Sequence, residues 1–527
     1  MYIQPNTTIR LIKNCPLDKN QENTIYFTSV SAQSTYFTST LQGFLFQSNS
    51  YQRVSKNSIR VAMNVEALYN CNYLAFQNAS FGGKWFYAFI DKVEYVNNVT
   101  SEVTYTIDVM QTWHFQYELE QCLVEREHSV TDNIGDNLVD EKLDTGEYIC
   151  SGYTEPADIA DESNQSIVLF STMYQDEQGN WHDYDGDLYH GLFSGLVPIY
   201  FPNTTQGAAD MAAWIHDLPA TKATCIVSGC VMPTKLVTRP VSPASFQQTM
   251  PRVTSLMRSD GTDVKNKKCL TYPYNFCYVT NFQGKGVAYR YEFFSGSGDV
   301  IFRFTGGVNP NPSVFMYPLN YKGVGENADE GFYLSGWPQI PWNIDSFKAW
   351  LAQNASSVAV NGIAAGAGTA EFIGSGTAAA IVGGASVAMP AIAVAGILGL
   401  AKQAVSGAVH AMMPPQSKGN TSGAAAFQAG NLTFGFMNKH ITPEFATIID
   451  DYFTMYGYAT NKVKVPNRNA RPEWNYVKTI GCKIGMLTGG MPADDAEQIE
   501  NIYNNGIRFW TNPAHIGDYS YNNAPSI

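Results

Sequence analysis

Between Lys348 and Lys402 the chain carries a single charged residue, Glu371, and the 30 residues from Phe372 to Ala401 carry none. Fifteen of those 30 are Gly or Ala and eleven are larger apolar residues; the rest are Ser375, Thr377, Ser386 and Pro390. The run exceeds the ~20 residues that cross a bilayer as a helix. Pro390 interrupts it, so two helical arms around a bend fit better than one straight span. Gly362 and Gly366 make a GxxxG spacing, and Ala395 with Gly399 repeats the small-xxx-small pattern that lets helices approach closely in lipid. Two blander readings compete, a flexible linker and a buried core helix. A linker does not concentrate Ile381, Val382, Val387, Met389, Ile392, Val394, Ile397, Leu398 and Leu400, and a core helix does not use so many glycines. The segment reads as membrane-active, with Gly362, Ile363, Gly366, Phe372 and Ile373 as further membrane-inserting positions.

The rest of the 527 residues is ordinary globular sequence, 45% apolar and 15% charged, and too long for one core. With 31 Tyr and 29 Phe among scattered Thr and Ser, it favours strands over helices, and the expected class is mainly β with minor α. A net charge of -13 argues against a surface built to hold nucleic acid, since phosphate binding needs clustered Lys and Arg. Nine cysteines in no framework spacing read as buried thiols of a protein made in a reducing cytoplasm. Met1 to Asn14 has no apolar run of signal-peptide length, which fits cytoplasmic synthesis.

Along the chain, Val103, Tyr105, Ile107 and Val109 alternate with polar residues at strand period. Lys84 to Ile90 is a continuous aromatic run, expected for a strand buried on both faces, and Asn97-Asn98 between the two is a hairpin turn. Residues 131–270 form a less regular β-rich stretch, and alternation returns from Tyr272 to Leu319 with turns at Gly284 and Gly298. After the apolar segment, Thr442-Pro443-Glu444 opens a helix with Pro at its first position. Phe445, Ile448, Ile449, Tyr452, Phe453 and Tyr456 then follow helical spacing. Asn461–Val465 reads as a strand with Lys462 and Lys464 on one face. A second helix, about Asp494 to Asn504, carries Ile499, Ile502 and Tyr503 and stops at Asn505-Gly506. The expected organisation is 1–130, β-rich; 131–270, a less regular β-rich insertion; 271–345, a further β-rich domain; 346–430, the hydrophobic loop; and 431–527, a β-rich block with two helices.

Candidate chemistry is sparse. Asp183, Asp185 and Asp187 resemble a calcium loop, but the order is wrong for an EF-hand and a solvated acidic loop is the expected reading. Cys225, Cys230 and His216 lack a fourth ligand and a metal-site spacing. Glu125-Arg126-Glu127-His128 reads as a structural ion pair, not acid–base machinery. Phe294 to Gly298 reads as a turn, and no nucleophile elbow, P-loop, zinc-protease helix or dinucleotide fingerprint occurs. No catalytic residue, cofactor or metal is therefore expected.

Several stretches resemble the tail knob, or distal tail tube, proteins of the small short-tailed phages that infect Gram-positive bacteria. They are Asn23–Ser29, Phe76–Ala79, Gly83–Phe89, Ile107–Trp113, Tyr456–Tyr458, Val465–Asn467, Trp474–Val477, Asn505–Ile507 and Ile516–Tyr519. The similarity is clear over 1–130 and 430–520, fainter from Tyr272 to the loop and slight over 131–270. The resemblance implies a virion protein at the tail tip: a homohexameric tube with β-barrel domains built from both chain ends (1–130 and 431–527), a β-rich knob insertion (131–270), a β-rich knob or tube domain (271–345), and partners in the upper tail and collar. It further implies that six hydrophobic loops plug the lumen and leave it at infection to form a pore in the lipid of the host cytoplasmic membrane. Double-stranded DNA would pass through without sequence recognition. Three rivals remain: a tail-tip receptor adhesin using the aromatic 131–345 region, a wall-degrading tail enzyme, and a pore-forming toxin, which would normally carry a secretion signal.

Overall fold

The computed structural model describes residues 7–525 apart from 49–56, 80–81, 185–187, 190–191, 194–195, 203, 218–224, 238–244, 308–312, 336–338, 341–431 and 488–489. The chain divides into two units, each assembled from separated stretches: Met1–Gly146, Ser255–Thr271 and Thr442–Ile527 in the first, Glu147–Thr254 and Tyr272–Ile441 in the second. Residues 131–146 and 255–271 thus belong with the two chain ends. Strands dominate the described elements of both units, and the protein is mainly β.

The first unit holds a six-stranded antiparallel sheet in the order Gly43–Ser48, Thr7–Lys13, Cys71–Gln77, Trp85–Asn97, Thr100–Ile107, Ser58–Val61. The aromatic run explains why this sheet is covered on both sides. Successive side chains of a strand point to opposite faces. Phe86 and Ala88 join one core with Ile9, Leu11 and Val103, while Tyr87 and Phe89 join another with Phe27, Phe37 and Tyr73. The strand Thr100–Ile107 stops two residues short of the alternation in the sequence. Asp108 caps a single helical turn, Val109–Thr112, so Val109 is buried from a helix and not from the strand. Asn97 pairs with Thr100, which leaves Asn98 and Val99 as the turn, one residue later than the sequence pattern placed it.

A second sheet of this unit draws on both ends of the chain, in the order Thr24–Ile25, Ile507–Trp510, Trp474–Ile480, Cys122–Glu127, Tyr458–Lys464. Two helices accompany it. Pro443–Tyr456 has Thr442 as its N-cap and Pro443 in its first turn, and Ala493–Asn505 ends at Gly506. The first helix buries Ala446, Ile449, Asp450 and Phe453, so its inner face is rotated from the one the apolar spacing marked, and Ile448 is 57% exposed. It ends at Gly457, whose φ is +62 and whose added Cβ would lie 2.2 Å from the Glu127 carbonyl oxygen, so only glycine fits.

The second unit contains a four-stranded sheet, Tyr148–Thr154, Gly435–Ile441, Asn275–Thr280, Gly286–Tyr289, and a five-stranded one built on Ser245–Met250, Val300–Gly307 and Ser313–Tyr321. Their shared core is rich in aromatics, with Tyr289, Phe302, Phe304, Phe434 and Phe436 fully buried. A further sheet orders Val197–Pro202, Gln165–Ser171, Ile226–Pro233 and Gln339–Ile340. Its central strand also serves two cores, Val168 and Phe170 facing one and Ile167 and Leu169 the other. No helix among the described residues is long and apolar enough to cross a membrane.

Candidate functional site: the flanks of the apolar segment and the buried charges

The membrane-inserting candidates, Gly362, Ile363, Gly366, Phe372, Ile373, Ile381, Val382, Val387, Met389, Ile392, Val394, Ile397, Leu398 and Leu400, all lie outside the described residues. The chain on either side of them is described. Upstream, Phe332–Leu334 pairs with Ser313–Tyr321. Ser335 is then tied down twice: Gln283 Nε2 donates to its carbonyl at 2.6 Å and its N–H donates to Gln283 Oε1 at 3.2 Å. The last described element before the segment is Gln339–Ile340, paired with Gly229 and Cys230.

Downstream the return is stronger. Gly435–Ile441 runs between Tyr148–Thr154 and Asn275–Thr280, hydrogen-bonded on both sides. Phe434 packs 5.4 Å from Phe304 and Phe436 packs 5.0 Å from Phe302, ring centre to ring centre. Burying each such ring stabilises by about 1.5–3 kcal/mol. Asn438 is held by Tyr291, whose hydroxyl donates to its Oδ1 at 2.5 Å, and it donates in turn to the Pro251 carbonyl at 3.2 Å. These strands satisfy their own backbone and core, so the long insertion is attached to folded structure at both ends.

The charged residues singled out in the sequence are structural. Arg126 and Glu127 sit on the strand Cys122–Glu127, where Arg126 pairs with Glu141 and Glu127 with Lys464. Lys478 donates to Glu125 at 3.0 Å. His128 is buried, accepting from the Tyr476 N–H at 2.8 Å and facing the Thr454 carbonyl at 3.1 Å. Burial, reinforced by the nearby Arg471, Arg508 and Arg126 guanidinium groups, holds His128 down to about 3. Asp183 ends the strand Trp181–Asp183, while Asp185 and Asp187 fall outside the described residues. Cys225 is buried just before the strand Ile226–Pro233 that contains Cys230, and His216 ends the helix Thr205–His216. Among the described residues no group of three or more His, Cys, Asp and Glu is placed to hold a metal ion.

Two buried networks of the first unit escaped sequence reasoning. Asp450, fully buried, accepts from Arg258 Nη1 at 2.5 Å, Lys265 N at 3.0 Å, and Asn266 N and Nδ2 at 2.9 Å each. Glu141 receives Arg126, Lys268 Nζ at 2.6 Å and Ala459 N at 2.8 Å. Together they fasten the stretch Ser255–Thr271 to the helix Pro443–Tyr456 and to the loop around residue 140. The signal for Asp450 was present, since it stands four residues after Ala446 and three before Phe453 on the apolar stripe. Asp108 is likewise fully enclosed; burial pushes it up to about 6, against the donating Tyr73 hydroxyl at 2.7 Å. Each of these carboxylates is saturated by protein donors, an arrangement for holding segments together.

Comparison with known proteins gives these features a setting. Two family descriptions match: the caudoviral major tail protein N-terminus over residues 5–118, and the C-terminal domain of the Bacillus phage phi29 tail knob protein gp9 over residues 241–524. The tail knob proteins gp9 of Bacillus phages phi29 and B103 are 26% and 24% identical, over 98% of each chain in both cases. The solved structure of the bacteriophage C1 tail knob protein gp12 shares the fold, with a TM-score of 0.62 at 13% identity, covering 97% of this chain and 98% of that one. These sequence matches make the chain a structural component of a phage tail, a tail knob protein. More narrowly, the match over more than half its length shows that the chain belongs to the family of the phi29 tail knob protein gp9 C-terminal domain.

Proposed function

We propose that six copies form a tube at the tail tip, joined to the upper tail and collar proteins, with walls built from the two ends of the chain. The apolar segments plug the lumen, then leave it at infection and line a pore in the host cytoplasmic membrane for double-stranded DNA. The observation that carries this reading is the 30-residue uncharged run, too long and too apolar for a loop in water, inserted between strands of a protein with polar surfaces. Its many Gly and Ala residues make it only moderately hydrophobic, so a protein-lined lumen and a bilayer are environments of similar free energy. A modest trigger can then move it from one to the other. Helices satisfy their own backbone in lipid, and the Gly362/Gly366 and Ala395/Gly399 spacings suit close packing of neighbours. A net charge of -13 gives DNA little to adhere to on its way through.

The test is electron microscopy for six-fold rings combined with a liposome leakage assay. Deleting Ala355 to Met413 should leave a folded, ring-forming protein that no longer releases dye. Ile392→Asp or Leu398→Arg should reduce leakage, because a charge at mid-bilayer costs about 2.5–3.5 kcal/mol per copy on the insertion scale. A deletion variant that fails to fold, with an intact protein that never permeabilises vesicles, would make the segment a core element and defeat the pore reading.

A further inference from the structure

Cys122 opens the strand Cys122–Glu127, and Cys482 follows the strand Trp474–Ile480 that pairs with it. Ile480 stands opposite Leu123, so the ladder would next set Gly481 opposite Cys122. Gly481 instead turns the chain, with φ +68, and Cys482 is the next residue. The two thiols are neighbours, each beside the Thr479 side chain. Asn504 Oδ1 accepts from Thr479 Oγ1 and from the Cys482 N–H, each at 3.0 Å, which fixes the turn. Both cysteines belong to one core cluster, with Cys122 5% and Cys482 1% exposed.

We propose that Cys122 and Cys482 form an intramolecular disulfide once the protein, as part of a virion, meets oxidising surroundings outside the cell. Both thiols are buried and burial raises their pKa, so the reaction runs through local opening of the Gly481 turn. Cys122 then attacks a low-molecular-weight disulfide as its thiolate, forming a mixed disulfide and releasing one small thiolate. The Cys482 thiolate then attacks the Cys122 sulfur and releases the second. Two protein thiols are oxidised, one small disulfide is reduced to two thiols, and the two protons pass to the released thiolates. The bond joins strands from the two ends of the chain and closes a loop of sequence that contains the whole second unit. A cross-link over so long a loop restricts the unfolded chain strongly and should stabilise the first unit.

The inference rests on location in the virion and not on the pore. Reduced full-length protein is incubated with oxidised glutathione, its remaining thiols are blocked, and its peptides are mapped by mass spectrometry. The expected result is a Cys122–Cys482 peptide pair and a thermal midpoint that rises on oxidation and falls back on reduction. Cys122→Ser and Cys482→Ser should each abolish both. If both thiols of the unaltered chain are still free for alkylation after oxidation and unfolding, or if they pair with other cysteines, the proposal is overturned. A chain that lacks the bond yet forms rings and permeabilises vesicles overturns this proposal alone, and the mapping does not depend on any variant folding.

Discussion

The two units are held together in different ways. Every buried Asp, Glu, His, Lys and Arg among the described residues lies in the first: Asp108, His114, Glu127, His128, Glu141, Arg258, Lys268, Asp450, Arg471 and Arg508. The buried polar residues described in the second are Ser166, Ser171, Asn275, Asn281, Asn327, Thr433 and Asn438, all uncharged, set in a core of aromatic rings. Burial of apolar surface is non-directional, whereas a buried charge demands its partners in one geometry. The difference places the contacts that demand one geometry in the unit that holds both chain ends and leaves the unit that carries the apolar insertion to apolar and neutral polar packing.

Conservative substitutions should expose the contrast most sharply in the first unit. Asp450→Asn keeps the shape but removes the buried carboxylate from Arg258, which keeps only the half-exposed Asp451 and Asp260. The loss should therefore reach at most about 3–5 kcal/mol, the cost of a fully broken buried pair. Chemical denaturation should show the loss, and hydrogen exchange should show Ser255–Thr271 opening. An unchanged midpoint would mean that the network is not what holds that stretch.

The next effect is on pH dependence. His128 has a folded value near 3, well below the ~6.5 of an exposed histidine. Its contribution is therefore complete above about pH 6.5 and is lost as pH falls toward 3, because the unfolded chain takes up a proton that the folded one refuses. In His128→Gln the dependence of the first unit's stability on pH should be shallower than in the parent by about 1.4 kcal/mol per pH unit across that window. Parallel curves for parent and variant would refute the assignment. The smallest effect belongs to the second unit: Met316→Leu, in the fully buried aromatic core, should cost less than about 1.5 kcal/mol and leave the melting profile in place. A loss as large as that of Asp450→Asn would erase the contrast between the units.

Much of the fold was legible because its elements obey simple periodicities. The aromatic run at Lys84–Ile90 announced a strand enclosed on both faces, and Thr442-Pro443 and Asn505-Gly506 marked helix ends that the structure places within a residue. The inner face of Pro443–Tyr456 was misread because apolar spacing takes no account of Asp450; a carboxylate belongs in a core only when donors surround it, and those donors come from Ser255–Thr271, almost 200 residues earlier. The end of the Thr100–Ile107 strand was misplaced for a related reason, since Asp108 acts as a helix cap and alternation alone cannot see a cap. Long-range partners of charged groups leave no periodic trace in sequence.

The nesting of the second unit inside the first also sets an order of manufacture. Thr24–Ile25 pairs with Ile507–Trp510, and Cys122–Glu127 lies between Trp474–Ile480 and Tyr458–Lys464. A ribosome adding ~5–20 residues per second needs roughly half a minute to a minute and a half between the first pair of partners. From its own synthesis until residue 458 is added, Cys122–Glu127 has neither neighbour made, and the apolar segment emerges before that wait ends. Release of the finished chain, not the appearance of its N-terminal half, is what permits the first unit to close.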